Sequence, residues 1–113
     1  LAITKSVSPV PVTENGTLTY TFRIQNYGSV AATNTTGVVI TDTFAPDLNN
    51  LTAALNGTAW TAATDYTYNE ATGTFSSTAG AITVPAATYT QDSTTGAWVV
   101  TPGESTLVIT GTV

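Results

Sequence analysis

Apolar and polar residues alternate along most of this chain, and nowhere do apolar positions recur at the three- to four-residue spacing of a helix. Thr17–Asn26 is the clearest case. Leu18, Tyr20, Phe22, Ile24 and Asn26 point to one side of a strand there, and Thr17, Thr19, Thr21, Arg23 and Gln25 to the other. Leu1 to Val7 reads as a first strand, closed by Pro9-Val10-Pro11, whose missing amide donors suit a sheet edge. Glu14-Asn15-Gly16 and Asn26-Tyr27-Gly28-Ser29 read as turns, Val30–Thr33 as a weak strand and Val38–Phe44 as a stronger one. Ala45–Asn50 reads as a loop or short helical turn, and Asn56-Gly57 as a hairpin turn. Beyond it, Trp60, Ala62, Tyr66 and Tyr68 keep one parity, interrupted by Thr64. Turns at Asn69–Gly73 and Asp92–Gly96 separate short strands at Thr74–Ser77, Ala81–Val84, Ala87–Thr90 and Trp98–Thr101. Pro102-Gly103-Glu104 opens a final strand, Ser105–Val113, with Leu107, Ile109 and Val113 inward. Short strands broken by turns this often predict an all-β fold, an immunoglobulin-like β-sandwich, in one domain spanning residues 1–113.

Two charges break the pattern. On the first strand Leu1, Ile3, Lys5 and Val7 share the apolar side, and Lys5 is the only lysine of the chain. On Val38–Phe44 the apolar side carries Val38, Ile40, Asp42 and Phe44. Desolvating an ammonium or a carboxylate costs several kcal/mol, so such groups face a core only when paired or put to chemical use. Lys5 and Asp42 are therefore expected to meet, within hydrogen-bonding or bonding distance and both nearly buried.

Composition narrows the function. Charged residues are 8% of the chain, and threonine, at 27 of 113 residues, takes their place. Threonine packs on a pleated surface and keeps it wet without charge. A chain of this length buries about two-thirds of its unfolded surface and needs no staples, which fits the absence of cysteine. A net charge of −5 makes nucleic acid and anionic membrane poor partners. Without His or Cys there is no conventional transition-metal site and no Ser-His or Cys-His nucleophile, so no cofactor is expected. No run approaches the ~18 apolar residues of a membrane span and no signal peptide is present, so the segment reads as a mature fragment or excised domain. Acidic, cysteine-free and threonine-rich, it reads as an extracellular bacterial or archaeal surface protein.

Three strings carry a family resemblance: Ile3-Thr4-Lys5-Ser6-Val7-Ser8-Pro9, then Gly16 through Gly28 with its Thr19-Tyr20-Thr21 and Asn26-Tyr27-Gly28, then Val39-Ile40-Thr41-Asp42-Thr43-Phe44. Over residues 1–46 the chain resembles the conserved-repeat domain of bacterial surface proteins, related to isopeptide-forming fimbrial and collagen-adhesin domains. The segment from Thr101 to Val113 is compatible with it but less specific. The resemblance implies an extracellular sandwich serving as a stalk, repeat or pilus module. In isopeptide-forming relatives a first-strand lysine is joined to an asparagine near the last strand, with help from a buried acid. Lys5 matches the lysine and Asp42 the acid, whereas Ser105–Val113 contains no asparagine. The resemblance thus implies either a missing final strand or one supplied from outside, by another copy or a neighbouring repeat through β-strand addition.

Each candidate has a structural alternative. Lysine attacks an amide carbonyl only as the neutral amine, a form favoured by desolvation, while a protonated acid can hold the carbonyl oxygen and shuttle a proton. Lys5 and Asp42 are either such a reactive pair or a buried salt bridge pinning strand register. Asn26 either satisfies the backbone of its turn or serves as the acyl partner. Trp60, Tyr66 and Tyr68 are either core or a sugar-stacking platform, the latter making the protein a ligand- or carbohydrate-binding adhesin. Asn15, Asn34, Asn50 and Asn56 open four Asn-x-Thr sequons where so much threonine gives about two by chance, a weak signal for glycosylation, and Asp47, Asn49 and Asn50 match no strong calcium-loop pattern.

Overall fold

The alternation produces ten strands and no helix in the computed structural model, which describes residues 1–113. They are β1 (Ala2–Ser8), β2 (Thr17–Asn26), β3 (Thr41–Thr43), β4 (Asn49–Leu55), β5 (Thr58–Ala59), β6 (Tyr66–Asn69), β7 (Thr74–Ser77), β8 (Thr88–Gln91), β9 (Trp98–Thr101) and β10 (Gly103–Thr112). One antiparallel sheet runs β1-β2-β10-β4-β5 and a second runs β3-β7-β6, while β8 and β9 pair only with each other.

The first two sheets form a β-sandwich around one core. The inner face of β2 buries Leu18, Tyr20, Phe22 and Ile24, and β10 buries Leu107 and Ile109 beside them. From the other layer come Ile40, Phe44, Tyr66 and Phe75. Tyr20 stacks on Phe44 across the gap with centroids 4.5 Å apart, and Phe75 lies between Phe44 at 6.1 Å and Tyr66 at 5.4 Å. Offset aromatic pairs at these spacings add to the area they bury.

The all-β class read from the alternation is the observed one, and β2, β7 and β9 have the expected bounds. Asn56 and Gly57, with φ of 50° and 83°, make the two-residue β4–β5 turn, in which both positions need the left-handed region. Four expectations need correction. Asn49–Leu55 is a strand beside β10, where a loop or helical turn was expected up to Asn50. Val30–Thr33 and Ala81–Val84 form no strands. They touch through a single bridge, Ala32 to Val84, and Ile82 and Val84 plug the core without joining a ladder. Only Thr41–Thr43 of Val38–Phe44 is paired. Finally, the apolar side of β1 is not buried: Leu1, Ile3 and Val7 are 64%, 51% and 38% exposed. β1 is an edge strand, and the facing layer does not reach over it.

The chain enters and leaves at opposite ends of the sandwich. Ala2 pairs with Gln25 near the end of β2, whereas Val113 exchanges backbone hydrogen bonds with Gly16 and Asn15 just before β2 begins. Ten residues of strand separate the two, about 30 Å at ~3.3 Å per residue, in a molecule measuring 56 × 32 × 20 Å.

Candidate functional site

Strand register brings Lys5 and Asp42 together. Lys5 lies opposite Phe22 in the β1–β2 ladder, and Asp42 opposite Phe75 in the β3–β7 ladder. Phe22 and Phe75 are core residues, and cross-strand partners share a face, so both charged side chains lean toward the gap between the layers. Lys5 Nζ is 2.5 Å from Asp42 Oδ2. The amine also sits 4.9 Å from the centroid of Tyr20 and 5.8 Å from that of Phe44, within cation–π range. Asp42 Oδ2 is out of solvent and accepts no hydrogen bond of acceptable angle, although the amine is against it.

The expected meeting is therefore observed, while the expected burial is not. The Lys5 side chain is 41% exposed and that of Asp42 20%. The cause is the edge position of both strands: β1 and β3 each have one unpaired side, and a groove of about 380 Å³ opens between them. Ile3, Phe22, Val39 and Ile40 line it around the ion pair, and its lining contains no asparagine or glutamine. Removing one member of a fully buried pair costs about 3–5 kcal/mol. Because Lys5 can reach water, Asp42→Ala should cost only about 1 kcal/mol, measured by urea denaturation. A loss above about 3 kcal/mol would mean that the amine is trapped.

Asn26 serves its turn. It is 6% exposed, its Nδ2 donates to the Val30 carbonyl at 2.8 Å, and its Oδ1 accepts the Gly28 N–H at 2.9 Å. Both halves of its amide are occupied, four residues along β2 from the partner of Lys5.

The aromatic stripe belongs to the core. Tyr66 is 5% exposed and stacks on Phe75, with Trp60 half-buried beside it at 6.3 Å. Tyr68 Oη donates to the Leu48 carbonyl at 2.8 Å and accepts the Leu48 N–H at 2.7 Å. Burial raises the pKa of both phenols, opposed in Tyr68 by the Leu48 hydrogen bond. Edges of Tyr66 and Tyr68 border a larger cleft of about 790 Å³ between β4 and β6, with Leu51, Ala62 and Ala63. The four sequon asparagines are exposed, but the Asn56 amide is committed to Ser105 Oγ at 3.2 Å and the Thr106 N–H at 2.8 Å. Asn49 and Asn50 begin β4, and the Asn50 N–H donates to Glu70 at 3.3 Å.

Sequence reasoning missed two features. Ile3 and Val39 frame the groove as exposed side chains, which parity alone does not show. Tyr89 and Trp98 stand on an exposed hairpin, and the unbroken apolar run Trp98-Val99-Val100 was the available signal. Comparison with known proteins adds no relative: no family model, no curated protein and no solved structure matches this chain.

Proposed function

We propose that this chain is a non-enzymatic structural module of a bacterial extracellular fibre, pilus or surface-protein stalk, immunoglobulin-like in architecture. In this reading Lys5 and Asp42 are poised for an autocatalytic isopeptide crosslink to an asparagine from another chain. The observation that carries the proposal is the 2.5 Å approach of Lys5 Nζ to a water-excluded Asp42 oxygen, at the mouth of a groove between two unpaired strand edges. Entry and exit at opposite ends of a long body also suit a unit arranged in series.

The groove's lining contains no amide side chain, so the reading draws the acyl partner from an extended segment of another copy or a neighbouring repeat, added along β1. The neutral Lys5 amine attacks Cγ of that asparagine and a new C–N bond forms. Asp42, as the acid, holds the carbonyl oxygen, passes its proton to the departing nitrogen and takes one from the attacking lysine nitrogen, ending as it began. The old amide C–N bond breaks and ammonia leaves, so the joined product is lighter by about 17 Da. The adhesin alternative has less support, because the rings of the Trp60–Tyr68 stripe turn into the core.

Electrophoresis of native material under denaturing conditions, with intact mass, tests the reading. The expected result is a ladder of joined species that Lys5→Ala abolishes. Material that runs wholly as monomer, or a ladder indifferent to Lys5→Ala, would overturn the crosslink.

A further inference from the structure

The β8–β9 hairpin stands away from both sheets, with every residue of its two strands exposed. Its ladder sets Tyr89 opposite Val100 and Gln91 opposite Trp98, so Tyr89, Trp98 and Val100 share one face. Trp98 is 64% exposed, and Tyr27 at the hairpin's root is 52% exposed. The root is tied down by the Ala87 N–H on the Gly28 carbonyl and by Tyr89 Oη donating to the Tyr27 carbonyl at 2.7 Å. The tip is stiff: Asp92 Oδ1 accepts the N–H groups of Thr94 and Thr95 at 2.7 and 3.0 Å, and those bonds hold its carboxyl below the usual carboxylate range. An isolated two-stranded hairpin is marginal in water. Its exposed aromatic residues form a patch of roughly 300 Å², a size at which the main apolar patch of a monomer is often functional.

This arm lies at the end of the sandwich where the chain enters. At the opposite end, after β1, the corner Pro9-Val10-Pro11 is exposed throughout, with Val10 at 74%. We propose that the arm seats Tyr89 and Trp98 on the Pro9-Val10-Pro11 corner of a second copy of this chain, joining copies end to end. The exposed rings and the exposed proline–valine corner are both apolar, so their contact removes apolar surface of each from water. The two surfaces differ and sit at opposite ends, so the contact is heterologous and propagates instead of closing.

The available area decides which partner fits. Tyr27, Tyr89 and Trp98, at side-chain areas of ~200 Å² each, offer roughly 300 Å². A freely diffusing partner needs about 800 Å² from each side. A neighbour already held in the same fibre meets the arm at an effective concentration in the millimolar range, where so small a contact suffices. The inference rests on the fibre reading for that tether alone, and the contact itself is non-covalent.

The test is a concentration series of the isotope-labelled chain followed by NMR, for wild type, Trp98→Ser and Val10→Ser. Both positions are exposed, so both variants should keep the fold, checked by their melts. The expected result is self-association with a dissociation constant of about 1 mM, shifting the Trp98 indole and the Val10 amide together. Each variant alone should associate at least ~10-fold more weakly, and mixing the two should restore a dimer, since the mixture keeps one intact arm and one intact corner. Persistence of association in Val10→Ser but not in Trp98→Ser would mean that the arm pairs elsewhere and would overturn the proposal, as would wild-type spectra unchanged up to several times that concentration. Lys5→Ala should leave the series unaltered, so failure of the arm and failure of the crosslink are read separately.

Discussion

Phe75→Ala should cost about 3–5 kcal/mol, the range for emptying an aromatic site in a packed core. Phe75 is 0% exposed on the central strand of the three-stranded sheet. It stacks on Tyr66 at 5.4 Å, tilts against Phe44 at 6.1 Å, and lies opposite Asp42 on one side and Tyr68 on the other. Its aromatic neighbours Phe44 and Tyr66 are held by their own stacking on Tyr20 and Trp60, so they relax little into the space. Domains of this size are stable by about 5–15 kcal/mol, so the substitution removes a large share. A melting temperature lower by about 15 °C, with an unchanged denaturant slope, is the expected readout. A loss below about 1 kcal/mol would mean that β7 does not cap the core.

The same packing explains what could be read from the sequence and what could not. β2 was legible because ten residues alternate without a break, and its inner residues are buried as that alternation requires. The meeting of Lys5 with Asp42 was legible for the same reason: parity states which way a side chain points. It does not state what lies opposite. Whether Lys5 is covered depends on how far β3 extends over β1, and β3 has three paired residues, so 41% of the side chain stays in solvent. β4 was hidden by its composition, with turn formers Asn49 and Asn50 at one end, Asn56-Gly57 after the other, and weak β-formers Ala53 and Ala54 between. Its alternating Leu51, Ala53 and Leu55 were the available signal, and Ala53 and Leu55 are buried. Ile82 and Val84 show the converse case: they are buried as an apolar pattern demands, yet neither joins a ladder, and Val84 makes only an isolated bridge to Ala32. Burial and strand pairing are separate requirements, and periodicity reports the first.

Gly103→Ala should be nearly as damaging, and its damage should reach the arm. Gly103 follows β9 after Pro102 and begins β10, where it lies opposite Asn26 and is buried. A Cβ there would lie 2.8 Å from the Ala86 carbonyl oxygen and nearer still to the carbonyl of Pro85. These are backbone atoms of the segment leading into β8, so no rotamer change relieves the clash. The methyl would wedge apart the two roots of the hairpin, one entering at Ala87 and the other leaving at Thr101. Overpacking of this kind costs about 1–3 kcal/mol where side chains can adjust, and a clash with fixed backbone belongs at or above the top of that range. Denaturation should therefore show a loss of about 3 kcal/mol, and end-to-end association should weaken although Trp98 and Val10 are untouched. A variant as stable as wild type would show that residues 85–86 do not press on β10. One that is destabilised yet associates normally would show that the arm's orientation does not depend on its root.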